Sequence, residues 1–149
     1  MAGSYTEKFT EVHEPLTQLW PVSAGVATTT SAFVSLATYH RAVLVIDVGV
    51  MGQGATLDIH LHQATDTTGA NQKNITGKAI TQLTQAGADS DSRVAIELRT
   101  EELDVNGGFD CVGVVMTVGV SAVIMSWTLW GIISRYNAVA FTGWNEIVP

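Results

Sequence analysis

Charged residues are scarce in this sequence: they make up 14% of its 149 residues, against about 25% in an average globular domain. Hydrophobic residues make up 46%. Charged side chains are the ones that most often remain exposed, so a chain with few of them has little polar surface with which to cover itself. We therefore expect some apolar surface to be buried against neighbouring molecules.

Positive charge is especially sparse. Seven Lys and Arg stand against fourteen Asp and Glu, for a net charge of −7. The cations are spaced singly along the chain, from Lys8 to Arg135. Binding to nucleic acid depends on grouped Lys and Arg that release counterions from phosphates. The sequence therefore predicts that nucleic acid is not a partner.

Signatures of catalysis are also missing. Cys111 is the only cysteine, which excludes an internal disulfide and a cysteine-rich metal site. It lies in an apolar stretch, where a free cysteine usually behaves as a small buried hydrophobe. The chain has no Gly-x-Ser-x-Gly, no Gly-x-Gly-x-x-Gly and no Walker lysine. We predict that the protein is not an enzyme and holds no cofactor.

One metal-ligand pattern remains, at Asp58, His60 and His62. Residues two apart share a face of a strand, so these three side chains could converge on a metal ion. With Gly54 before it, the pattern resembles part of the first cupin motif, but Asp66 stands where cupins place Glu. No histidine follows His62 to complete such a site. We therefore favour polar surface over a metal centre, and predict no metal.

The positive signals are those of β-strands. His40 to Met51 is a β-branched run that ends at Gly52-Gln53-Gly54, and residues 57–62 and 93–99 alternate apolar with polar side chains. Residues 64–78 are predicted to form a loop, residues 79–85 a short strand, and residues 138–142 a last strand. About eight short strands predict an all-β fold, a β-sandwich of the jelly-roll type. The first two strands, joined by a glycine-rich turn, predict a hairpin.

No residue from Cys111 to Ser134 is charged, so by length this segment could be a transmembrane helix. Its Val, Ile, Thr and Trp content and its interruption near Gly119 favour two buried strands instead. We predict a hairpin here and no membrane partner. A spanning helix is the alternative.

Residues 1–30 are weakly patterned and are predicted to form an extended N-terminal arm, with one turn of helix at Glu14 to Leu19, before a single sandwich domain over residues 31–149. Leu16, Leu19 and Trp20 lie between two prolines, which disfavour a regular element. These three side chains need a surface, either the domain's own or a partner's. We predict that they bind a partner, and that the domain folds without residues 1–22.

Several stretches together, VSLATYHRAVLVIDVGVM, DIHLHQATDTTG, ITQLTQAG, IELRTEELDVNGGFDCV and ISRYNAV, resemble small structural proteins of tailed phages that are encoded near the major capsid protein. The resemblance covers roughly residues 30–140. It implies a virion protein of the capsid surface, of the decoration or cement type, with a β-sandwich or jelly-roll domain. It also implies the major capsid protein and further copies of the chain, as a homotrimer, as partners. It identifies no contact residues.

Two other functions stay open on the residues alone. Trp127, Trp130 and Trp144 could stack against sugar rings in a receptor-binding or carbohydrate-binding module, although a buried position in the core or a subunit contact is the more common role of such residues. His60 and His62 could serve a cupin-like metal-dependent enzyme, which is the weaker alternative.

Overall fold

Two antiparallel sheets pack face to face in the computed structural model, which describes residues 7–135 and 144–148. The predicted β-sandwich is therefore confirmed. The first sheet has the strand order β1-β10-β4-β8, and the second has the order β2-β9-β5-β6, with β3 also paired to β9 and β7 to β5. A helical turn, α1 (Phe9–Val12), precedes ten strands: β1 (His13–Ala24), β2 (Ala27–Thr30), β3 (Val34–Ser35), β4 (Tyr39–Met51), β5 (Thr56–Ala64), β6 (Lys73–Ala79), β7 (Leu83–Thr84), β8 (Ser92–Arg99), β9 (Cys111–Gly119) and β10 (Val123–Ser134).

The core lies between the sheets and is built by alternation along the strands. In β5, Leu57, Ile59 and Leu61 are at most 1% exposed, while the residues between them are half-buried on the outer face. Strands β4 and β10 follow the same period of two, which places one set of side chains inside and the other outside. Strand β9 differs, because its residues from Cys111 to Met116 are buried on both faces. The largest fully buried side chains are Leu36, Leu44, Ile46, Leu57, Ile59, Leu61, Leu98, Leu129, Val112, Val114, Val118 and Val123.

Residues 111–134 form two strands, as predicted, but not a hairpin. Strand β9 lies in the second sheet and β10 in the first, so the chain crosses from one sheet to the other between them. In the described part of the chain, no helix has both the length and the hydrophobicity that crossing a membrane requires. The spanning-helix alternative for this segment is therefore wrong.

The hairpin predicted for β4 and β5 is wrong for the same reason. Strand β4 belongs to the first sheet and β5 to the second, and the turn after Met51 carries the chain across the edge of the sandwich. The two crossings lie side by side, since the Gly52 N–H donates to the Ala122 carbonyl at 2.8 Å. A glycine-rich turn fits a crossing as well as a hairpin, so turn chemistry alone did not distinguish them.

Residues 13–24 are not an arm, because they form β1, which pairs with β10 along its length. The expectation that Pro15 and Pro21 exclude this segment from a regular element is wrong, as is the predicted turn of helix at 14–19. Strand β1 lies at the edge of its sheet, so one side of the strand faces no neighbouring strand. A proline has no backbone N–H, and on that side its absence breaks no hydrogen bond. Both prolines also lie at register shifts of β1 against β10, between Pro15 and Thr17 and between Leu19 and Val22.

Three further expectations concern shorter segments. The loop predicted for residues 64–78 contains six of the seven residues of β6 (Lys73–Ala79), which pairs with β5, so that prediction was wrong over residues 73–78. The strand predicted for residues 79–85 is present only as the two-residue β7, Leu83–Thr84. The predicted last strand at 138–142 lies outside the described residues.

The turn from β9 to β10 places a β-branched residue in a strained conformation. Val120 has φ of 68° and is 74% exposed, so its side chain gains little from burial. A left-handed backbone brings the Cβ of an L-residue too close to the following carbonyl, at a cost of about 1–2 kcal/mol. Val120 therefore destabilises the fold without a compensating contact in the core.

We expect Val120→Asn to raise the free energy of unfolding by about 1 kcal/mol, because Asn adopts the left-handed region more readily than a β-branched residue does. The measurement is the midpoint of urea unfolding. Val120→Thr is the matched control, since it removes the apolar surface but keeps the branched Cβ, and it should leave the midpoint near that of the wild type. Equal gains for both variants would show that the strain does not matter.

Candidate functional site

An aromatic patch lies on the outer face of the first sheet, where β1 meets β10. We define it by Phe9, Trp20, Trp130 and Trp144. Ring centroids are 5.5 Å apart for Phe9 and Trp130, and 5.4 Å apart for Trp130 and Trp144. Phe9 is 54% exposed and Trp20 is 70% exposed. Such an exposed group of aromatic rings is unusual for a free surface and is typical of an interface.

Local pairing explains how the strands build this patch. Trp130 alternates with inward-facing Leu129 on β10, so its ring points away from the core. Pro15 lies opposite Trp130 on β1, and the helical turn α1 brings Phe9 over the same place. Phe9 also packs edge-on against His13, with ring centroids 4.6 Å apart. Three separate parts of the chain thus supply rings to one surface.

The three predicted partner-binding residues have different positions. Leu16 and Leu19 are partly buried and pack against the core between the sheets. Trp20 instead projects to the outside and belongs to the aromatic patch. The domain's own surface therefore holds the two leucines, and only Trp20 is left available to another molecule. Neighbouring residues of a strand point to opposite faces, which is the signal that separates Leu19 from Trp20.

A groove of about 630 Å³ runs across the aromatic patch. Its apolar walls are the rings of the three tryptophans of the patch. Its polar groups come from β1, β10 and the segment after residue 143. The groove is lined by Pro15, Gln18, Trp20, Thr128, Trp130, Trp144, Asn145 and Glu146. Of the tryptophans singled out from the sequence, Trp130 and Trp144 lie here, whereas Trp127 is buried in the core and 6% exposed.

The second candidate site, the histidine pair, lies on the outer face of the other sheet. The Nε2 atoms of His60 and His62 are 3.1 Å apart, and His62 Nδ1 lies 3.1 Å from Oε1 of Gln72. Asp58 does not join them, because its carboxylate accepts a hydrogen bond from Gln82 at 2.7 Å. Within residues 7–135 and 144–148, no three His, Cys, Asp or Glu side chains are grouped to hold a metal ion.

The surroundings of His60 disfavour its charged form. Burial lowers its pKa below the usual 6.5, and the neighbouring His62 lowers it further, against a smaller opposite effect of Asp58. Burial likewise lowers the pKa of His13, whose Nδ1 accepts a hydrogen bond from the Ile133 N–H at 3.1 Å. Both rings are therefore neutral in the folded protein near neutral pH.

Cys111 is buried beneath Phe33 and Ala64 at the start of β9. Burial, and then the carboxylate of Asp110, raise the pKa of its thiol to about 12. A thiol with so high a pKa is a poor nucleophile, because the thiolate is the reactive form. The prediction that Cys111 is a small buried hydrophobe is confirmed.

The acidic residues Glu102 and Asp104, which follow β8, serve local structure. Glu102 accepts a hydrogen bond from the Arg99 backbone N–H at 2.8 Å and forms an ion pair with Lys78 at 2.9 Å. Asp104 accepts a hydrogen bond from the Gly107 N–H at 3.0 Å and pairs with Lys73 at 2.6 Å. These contacts lower the pKa of both carboxyls. Each of these two carboxylates is thus committed to a cation and a backbone N–H.

No protein-family model matches this chain. No curated protein is significantly similar to it in sequence. The aromatic patch and the histidine pair are accordingly interpreted from their own geometry and chemistry.

The lowered pKa values of His60 and His13 predict that acid destabilises the fold. The unfolded chain binds protons at these histidines more readily than the folded protein does, so stability should fall as the pH drops below about 6.5. We expect His60→Gln to flatten this dependence between about pH 7 and pH 5. The free energy of unfolding from urea titrations at several pH values is the measurement. An unchanged slope in the variant would contradict this account of His60.

Proposed function

We propose that this protein is a structural component of a phage virion, a capsid decoration protein that attaches to the shell of the major capsid protein and to further copies of itself. The observation that carries the proposal is the exposed aromatic patch on the outer face of the first sheet. Trp20, 70% exposed, is its most accessible member. Large aromatic side chains dominate the binding free energy of many protein interfaces.

The topology supports this proposal. The chain changes sheet after β1, β3, β4, β7, β8 and β9, and the strand orders are β1-β10-β4-β8 and β2-β9-β5-β6. This topology supports our proposal of a jelly-roll domain, an arrangement that viral capsid domains use. The resemblance of residues 30–140 to small tailed-phage structural proteins points the same way. A β-sandwich presents both outer faces to neighbours, and here one of them carries the patch.

A trimeric arrangement would increase the effect of a small patch. When several copies bind one shell together, each additional contact forms at a high effective concentration, so modest contacts add up to firm attachment. A patch of four aromatic side chains is small, which makes simultaneous binding by several copies the efficient arrangement. The low charge content of the chain, 14%, also fits a protein that buries surface against neighbours.

Leu19 and Trp20 provide a matched pair for the test, because they are adjacent on β1 and face opposite sides. We expect Trp20→Ser to leave the free energy of unfolding within about 0.5 kcal/mol. The same variant should reduce self-association in sedimentation velocity, and attachment to purified capsid shells in co-sedimentation, by about tenfold. Leu19→Ser should instead destabilise the fold by about 1–2 kcal/mol, because it places a hydroxyl against the core.

Two results would contradict the proposal. If Trp20→Ser associates with itself and with shells as strongly as the wild type does, the patch is not the attachment surface. If Val50→Ser, which changes an exposed apolar residue of β4 outside the groove, weakens attachment equally, the effect is loss of general hydrophobicity and not of the patch.

A saccharide-binding module is the second candidate, favoured by the groove itself. Three tryptophan rings beside Gln18, Asn145 and Glu146 combine apolar platforms with groups that can hydrogen-bond to sugar hydroxyls. A glycan array would distinguish this function from protein attachment. Glycan binding that is lost in Trp20→Ser, with shell binding unchanged, would establish the saccharide function in place of the decoration function.

A further inference from the structure

The fold brings together cations that the sequence keeps far apart. Arg41 on β4, Arg99 at the end of β8 and Arg135 after β10 line one cavity of about 570 Å³ on the molecule's surface, together with His40. Three of the seven Lys and Arg of the chain thus share one site. The cations are separated along the chain, as the sequence shows, but the fold brings three of them together.

Strand register creates this concentration of charge. Arg41 and Arg99 are direct partners in the pairing of β4 with β8. Since Ala42 and Leu98 face the core, the two arginine side chains share the outer face. Like charges directly opposite each other on paired strands destabilise a sheet. The fold retains this unfavourable pair at the cavity.

The three arginines differ in the hydrogen bonds and ion pairs that their guanidinium groups form. Arg135 donates from Nε to the Tyr39 carbonyl at 2.8 Å and from a terminal nitrogen to Oγ1 of Thr100 at 2.7 Å, which fixes its guanidinium. Arg99 pairs with Glu101 at 3.0 Å, with both side chains mostly exposed. Arg41 makes no hydrogen bond or ion pair with any described residue.

We propose that this cavity is a binding site for the carboxylates of an acidic segment of a partner protein. A guanidinium binds a carboxylate through two parallel hydrogen bonds, and Arg41 has all its donors available. The cavity already accepts one carboxylate, because the side chain of Glu101 forms an ion pair with Arg99 there. Glu101 also repels any further anion near Arg99, so the incoming carboxylate is expected at Arg41.

The site is independent of the aromatic patch, since the two sets of lining residues have no member in common. An acidic partner segment would meet an attractive local charge on a protein whose net charge of −7 repels acidic molecules at a distance. Binding at the cavity therefore depends on short-range contact with the arginines, and should weaken as salt is added.

The test measures the fluorescence anisotropy of a labelled hexaglutamate peptide titrated with the full chain at low ionic strength. We expect Arg41→Gln to weaken peptide binding by about threefold or more. Arg93→Gln is the matched control, because it removes the same charge from β8 at an arginine that pairs with Asp47 away from the cavity. The control should bind the peptide as the wild type does.

A second pair of variants tests the competition by Glu101. Glu101→Gln should tighten peptide binding, because it frees Arg99, whereas the exposed Asp91→Asn changes the net charge equally and should have a smaller effect. Inorganic phosphate at the concentration of the peptide should not displace it. Phosphate that displaces the peptide would overturn the assignment to carboxylates, and equal losses in Arg41→Gln and Arg93→Gln would overturn the site.

Thermal unfolding gives a readout that does not involve the ligand. If Arg41 serves binding and not folding, Arg41→Gln should keep or raise the melting temperature, because it removes the repulsion with Arg99. A lower melting temperature would show that Arg41 has a structural role, and would overturn the proposal.

Discussion

The close packing of the two inner sheet faces is the constraint on which the rest of this structure depends. Leu57, Ile59 and Leu61 of β5 are essentially inaccessible to solvent, and they meet the inward residues of β4 and β10 from the opposite sheet. Once alternate residues are committed to that core, the remaining residues of each strand must face outward. The aromatic patch, the histidine pair and the arginine cavity each include such outward strand residues, so the core determines where these residues lie.

The same constraint explains which parts of the fold could be predicted. Strands β4, β5 and β8 have long, regular patterns, and the predicted segments differ from the observed ones by only a few residues at either end. Strand pairing was harder to predict, because the pattern of a strand shows that one face is buried and does not show which neighbour it pairs with. Both predicted hairpins failed on this point, since a glycine-rich turn serves equally for a crossing between sheets.

The N-terminal segment failed for a more specific reason. Proline was taken to exclude residues 13–24 from a sheet, yet an edge strand with two register shifts accommodates both prolines. With the strand in place, alternation would have separated Leu19 from Trp20. The candidate interface was therefore partly accessible from the sequence. Trp20, Trp130 and Trp144 were all identified, but for separate roles, and Phe9 was not, so only the fold unites the four rings.

Charge shows the limit of linear patterns most clearly. A scan along the chain finds single cations and so indicates no charged site, but strand pairing places Arg41 opposite Arg99, although the two are far apart in the sequence. In a chain with only seven Lys and Arg, such a pair has a cost in stability that nearby acids do not fully offset, because only Arg99 has an acidic partner. The aromatic patch also contributes little to stability within one molecule, since an exposed tryptophan adds little to folding. Surfaces that gain so little within one molecule are the ones through which a protein of this composition would associate with others.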